Sequence, residues 1–206
     1  MATATRPDPY AVPHPALVER GFFRLSVADY HDLGERGILT PEDRVELIDG
    51  YLVIKPMHNS PSASTVVRIA RYLDRAVPAG FVVRSQVPIT LATSEPEPDA
   101  VVARGDLRTY DFHHPKAADV VLAVEVSDSS LRIDREYKSG LYAAAGIPVY
   151  WIVNIPEAKV EVYTEPSGPS EAPGYAKRQD FGSSESVPLI LDASAVAQLP
   201  IADLLP

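Results

Sequence analysis

Apolar positions along the chain follow two rhythms, and one break in them organises the rest. From Val120 to Val126 the residues are almost uniformly apolar and mostly β-branched, the pattern of a strand buried on both faces. Ala100-Val101-Val102-Ala103 and Val149-Tyr150-Trp151-Ile152-Val153 repeat that pattern. Between Val126 and Val149, Tyr137, Leu141, Ala144 and Ala145 share one helical face, and Gly146 with Pro148 closes the helix. This strand–helix–strand order predicts a right-handed crossover within one sheet.

Shorter patterns fill in the rest. Asp49-Gly50, between the alternating runs Arg44–Ile48 and Tyr51–Ile54, predicts a two-residue β-hairpin, with Glu46 and Ile48 on one face and Val45 and Leu47 on the other. Asn59-Ser60-Pro61 starts a helix whose core face is Val66, Ile69, Ala70, Leu73 and Val77. Ser26 and Asp29 form a capping box for an N-terminal helix reaching about Arg36, where Gly37 ends it. Phe81–Arg84 and Val87–Leu91 read as short strands, Lys159–Tyr163 as a half-exposed one, and Tyr175–Phe181 and Val187–Leu191 as marginal ones. The tail after Ala193 reads as a short helix. Residues 1–20, with Pro7, Pro9, Pro13 and Pro15, read as an extended N-terminal arm, and residues 21–206 as a single domain. The sum is an α/β fold: a mixed β-sheet flanked by helices, with an N-terminal helix and a β-hairpin.

Composition narrows the function classes. The 206 residues include no cysteine, which excludes disulfides and thiolate chemistry and fits a reducing, cytoplasmic setting. No apolar run approaches a membrane span, and the first residues lack a signal-peptide core, so no membrane association is expected. The formal net charge of −9 counts against a tight, non-specific nucleic-acid binder. It does not count against an acid-rich site that holds a cation.

The candidate chemistry lies where the buried strands are interrupted. Glu125 is a lone acid near the end of an apolar strand, and Asp99 follows Pro98 at the entry to another. Such acids are costly unless paired or bound to a cation. Mg²⁺, with Mn²⁺ as a substitute, takes one or two carboxylates plus further oxygens, and the carbonyl of Val126 can add one. Asp134-Arg135-Glu136-Tyr137-Lys138 opens the next helix with Asp134 as its cap and brings an ammonium near the strand end, suited to phosphate charge. Arg68, Arg71 and Arg75 form a basic helical stripe within a segment, Lys55–Arg84, of net charge +4. A phosphate-backbone contact surface and a solvated helix face both account for that stripe. His113 and His114 are adjacent in a polar loop, while His14, His31 and His58 are isolated, so none predicts a metal site. No Gly-x-Ser-x-Gly elbow accompanies Ser127, Ser129 and Ser130.

In order, Glu46-Leu47-Ile48-Asp49-Gly50, Pro98-Asp99, Glu125-Val126-Ser127, Asp134 with Lys138, and Tyr150-Trp151-Ile152-Val153 resemble the PD-(D/E)xK restriction-endonuclease-like superfamily. They are most similar to its Uma-two-like endonuclease family. The departure is Ser127, which stands two residues after Glu125 where the superfamily carries lysine. The resemblance implies a restriction-endonuclease-like fold and a Mg²⁺-dependent endonuclease, with DNA as the default substrate. It further implies metal ligands at Asp99, Glu125 and Val126, help from Glu46, and Lys138 as a lysine relocated to the following helix. Blander readings stand beside these: Glu46 as a cross-strand ion-pair partner, Asp99 as a turn cap, and Lys138 as a snorkelling surface residue. A non-catalytic interaction or scaffold protein that keeps the nuclease fold is the rival reading, and the acidic charge favours it. The hairpin and marginal strands leave sheet edges that predict a homodimer.

Overall fold

In the computed structural model of the chain, residue 13, residues 15–55, residue 57 and residues 59–206 are described. The expectations for residues 1–12, His14 and His58 lie outside the described residues. Strands β3 (Phe81–Ser85), β4 (Ala100–Arg104), β5 (Val120–Ser127), β6 (Val149–Asn154), β7 (Lys159–Pro166) and β8 (Tyr175–Gly182) follow a set of N-terminal elements. Those are α1 (Pro15–Arg20), α2 (Val27–Glu35), and the hairpin β1 (Val45–Ile48) and β2 (Tyr51–Ile54). β3 to β8 form one six-stranded sheet in sequence order. Only β5 and β6 run parallel; the other neighbours are antiparallel. Every residue of β5 and β6 is buried, as their uninterrupted apolar runs require.

Two layers cover the sheet. On one face, α3 (Ser60–Ala76) lays Val66, Ile69 and Leu73 against Val102, Leu122, Val124 and Trp151. The antiparallel pair β9 (Ser186–Leu191) and β10 (Ser194–Pro200), followed by α6 (Ile201–Leu204), completes that layer. Truncating Ile69, which is fully buried, to alanine would cost about 2–5 kcal/mol. On the other face, the crossover from β5 to β6 packs Tyr142 against Val101, Ala123, Tyr150 and Ile152. This crossover consists of α4 (Leu131–Ile133), a π-helical turn at Asp134–Lys138, and α5 (Ser139–Ala144). The Ser139 N–H bonds back five residues to the Asp134 carbonyl, which widens the helix there.

The hairpin turn has positive φ at both central residues, 46° at Asp49 and 79° at Gly50, the type I′ geometry that Asp-Gly favours. A Cβ on Gly50 would lie 2.7 Å from that of Arg24, so glycine is required for contact as well as for conformation. The capping box is present, with the Asp29 N–H donating to Ser26 Oγ at 3.1 Å. β1 is tied to the segment that leads into β4 where the Glu95 N–H donates to the Leu47 carbonyl at 2.7 Å. That bond sets the hairpin beside Pro98-Asp99.

The structure corrects several expectations. Pro15–Arg20 is helical rather than extended, since a proline in the first helical turn forgoes no intrahelical bond. Val87–Leu91 is no strand: Gln86 turns the chain at φ 51°, Pro88 lacks a donor, and only the bridge Thr90–Lys116 forms. The tail after Ala193 is β10 before it is helix, because Asp192 and Ala193 at φ 47° and 62° fold it back onto β9. Asp134 is not a cap, because the helix already begins at Leu131. β7 is not half exposed around Glu161, which is fully buried and bonded to Arg135, Asn154 and Tyr163. Among the described residues no helix is long and apolar enough to cross a membrane.

Candidate active site

β4 and β5 pair antiparallel with Ala100 opposite Val124. Extending that register by one residue sets Asp99 opposite Glu125, with both side chains on the same face of the sheet. The link between the strands continues there through a side chain, since the Val126 N–H donates to Asp99 Oδ2 at 2.7 Å. Asp99 is also bonded through its backbone carbonyl to the Gln86 N–H, at 3.2 Å. The two acids are therefore fixed by sheet pairing rather than by loops. Asp99 is 5% exposed and Glu125 4%.

The widened helix supplies the other side of the site. Lys138 Nζ donates to Glu125 Oε1 at 2.9 Å and lies 3.9 Å from Asp134 Oδ1. The Tyr142 hydroxyl donates to the same Glu125 oxygen at 2.7 Å. Residues 134, 138 and 142 thus all face the end of β5. Asp134 is buried and accepts from Ser130 Oγ at 2.6 Å and from Ser127 Oγ. Ser127, at the position where the superfamily carries lysine, is thereby used to hold Asp134. From the hairpin, Glu46 Oε2 accepts the Glu97 N–H at 3.1 Å, and Lys55 Nζ meets Glu97 Oε2 at 2.6 Å.

Burial pushes the Glu125 carboxyl above its ordinary range; Lys138 opposes that shift, while Asp134 and Asp99 add to it. Burial works against the Lys138 ammonium, but Glu125, Glu46 and Asp134 outweigh it and hold its pKa above the ordinary lysine value. Four buried acids, Glu46, Asp99, Glu125 and Asp134, together with Glu97, thus outnumber the cations Arg44, Lys55 and Lys138 around a cavity of about 180 Å³. Such a set favours additional positive charge. Its donors are all oxygens, which suits Mg²⁺ or Mn²⁺ and does not suit a soft metal. Among the described residues no three His, Cys, Asp or Glu side chains converge as a ligand group. Two carboxylates and a carbonyl would give the low protein-ligand count that Mg²⁺ accepts.

The structure brings together Glu46, Asp99, Glu125, Val126 and Lys138. It does not bring the arginine stripe to them. α3 packs on the opposite face of the sheet, Arg68 donates to the Leu205 carbonyl, and Arg71 and Arg75 are exposed there. His113 and His114 line a separate, larger cavity. Sequence reasoning missed two participants. Asp134 reads as a cap from the sequence, although its spacing of four from Lys138 signals that both face one way; nothing local marks Tyr142 as a partner of Glu125.

Comparison with known proteins bears on the family and the fold. The family described as Uma2, putative restriction endonuclease, matches residues 27–198, most of the chain. A solved structure, a putative nuclease belonging to DUF820 from Anabaena variabilis ATCC 29413, superposes with a TM-score of 0.61 at 18% identity, covering 84% of this chain and 96% of that one. That likeness shows a shared fold. No curated protein matches the chain.

Proposed function

The chain belongs to the Uma2 family, and from that premise and the paired strand-end acids we propose that it is a Mg²⁺-dependent endonuclease hydrolysing phosphodiester bonds of nucleic acid, DNA by default. The observation that carries the proposal is Asp99 beside Glu125, with the Lys138 ammonium 2.9 Å from the latter, in a recess of oxygen donors. Asp99, Glu125 and the Val126 carbonyl would hold Mg²⁺, or Mn²⁺ in its place. Bound there, the cation supplies positive charge beside the scissile phosphate and makes water more acidic.

The chain's own groups do the rest. Water oxygen attacks phosphorus, the bond from phosphorus to one ester oxygen breaks, the attacking water loses a proton and the leaving oxygen gains one. Lys138 places a fixed ammonium where negative charge develops on the phosphoryl oxygens. Tyr142 holds Glu125 in orientation, and Glu46 adds a carboxylate at the hairpin side. End-labelled single- and double-stranded nucleic acids, incubated with and without Mg²⁺ or Mn²⁺, test the reading. Internal cleavage that needs the cation and is lost in Asp99→Asn is the expected result.

The second reading, a catalytically silent interaction or scaffold protein, rests on the net charge of −9. It predicts no cleavage of any substrate with either cation. Assembly as a homodimer is part of the proposal in either case, with the half-exposed Leu52 and Val53 of β2 as the apolar surface a second copy would cover.

A further inference from the structure

Next to the catalytic recess lies a cavity of about 990 Å³, and the two share Arg44, Lys55 and Glu97 as walls. The sizes divide the work between them. A recess of about 180 Å³ takes a phosphate and little more, whereas about 990 Å³ lies in the upper range of small-molecule sites, roughly 300–1,000 Å³.

The lining of the larger cavity suits a nucleobase. Tyr30, Tyr110 and Phe112 contribute aromatic rings. Phe112 is 98% exposed, yet its loop is firmly held: the Tyr110 hydroxyl bonds the Arg104 carbonyl, and Asp106 accepts from the Arg108 and Thr109 N–H groups at 2.9 and 3.0 Å. An exposed ring on a fixed loop has no folding role to explain it, and bases stack on such rings regardless of sequence. Of the acids that line this cavity, Glu95 and Glu97 are paired. Glu95 takes His31 Nε2 at 2.8 Å and Thr90 Oγ1 at 3.0 Å, and Glu97 takes Lys55. They repel phosphate but can accept from the N–H edge of a base. The cations Arg44 and Lys55 stand at the shared wall, where a sugar-phosphate chain would pass between the two spaces.

A base stacked inside a duplex cannot enter such a cavity unless it leaves the stack. We propose that the cavity receives an unstacked nucleobase adjoining the scissile phosphate, so that the substrate is single-stranded or locally unpaired nucleic acid. This inference deepens the nuclease reading and rests on it for the identity of the chain that enters.

The test uses Phe112→Trp. The protein has one tryptophan, Trp151, which is fully buried, so the new indole is a separable exposed reporter. Full-length variant and parent are mixed with a short oligothymidylate or with a fully paired duplex in Mg²⁺ buffer, and emission is read at once. Saturable quenching of the variant by at least about twofold with the single strand, and little with the duplex, is expected. No quenching by the single strand, or equal quenching by the duplex, overturns the proposal. Cleavage is assayed in parallel. Quenching without cleavage supports the base cavity and refutes the nuclease reading; cleavage without quenching keeps the nuclease and overturns the cavity.

Discussion

Lys138 reaches Glu125 from thirteen residues further along the chain, Nζ to Oε1 2.9 Å, with side chains 13% and 6% exposed. The contact spans the end of β5 and the π-helical turn. It places an ammonium beside Glu125, while Ser127 itself is bonded to Asp134. Replacing Lys138 with methionine is expected to lower turnover about 100- to 1000-fold, the usual effect of losing one transition-state electrostatic donor. Turnover equal to the parent would assign Lys138 a structural role only.

Tyr142→Phe removes a hydroxyl that donates to Glu125 at 2.7 Å and leaves the buried ring in place. A hydrogen bond to a charged group contributes about 1.5–3 kcal/mol, so a loss of roughly tenfold or more in rate is expected. The distinguishing readout is the pH–rate profile. Its acidic limb should move to higher pH, because the carboxylate loses a stabilising donor. A rate loss with an unmoved profile would show that Tyr142 only packs.

Glu125 sets a pH dependence whose sign is fixed by its raised pKa, about 8 against an ordinary 4.5. In the metal-free protein its contribution to stability is fully present below about 4.5 and is lost as pH rises through about 8. Cation binding needs the carboxylate and runs the other way, strengthening over the same window. Melting temperatures across that window with and without Mn²⁺ should diverge as pH rises. A Mn²⁺ effect on Tm that is flat with pH would contradict the assignment.

Arg71 and Arg75 lie on the sheet face opposite the acids. Replacing both with glutamine is expected to leave turnover of a short oligonucleotide unchanged. A fall in turnover on so short a substrate would show that the substrate reaches this face.

What could be read from the sequence depended on how locally each feature is determined. The strands β4, β5 and β6 and helix α3 followed from periodicity, and the hairpin from Asp49-Gly50. Asp99 and Glu125 stood out because a buried strand tolerates a carboxylate only for a reason. The π-helical turn has no sequence signature, and without it Asp134 reads as a cap instead of a buried acid beside Lys138. The burial of Glu161 depends on Arg135, 26 residues away, and on β8 covering its strand, so alternation alone suggested exposure. Ser194–Pro200 is alanine-containing and reads as helix until the turn at Asp192-Ala193 supplies a strand partner. The large cavity is assembled from residues as distant as Tyr30 and Lys116, and only the fold brings them together.

The central claim is that Asp99 and Glu125 jointly hold the divalent cation on which cleavage depends. Calorimetric titration of Mn²⁺ into the parent and into Asp99→Asn tests it most directly, since asparagine preserves size and can still accept the Val126 N–H. The account predicts a saturable site in the parent and none in the variant, with cleavage lost in parallel. Equal Mn²⁺ binding by both proteins would contradict it.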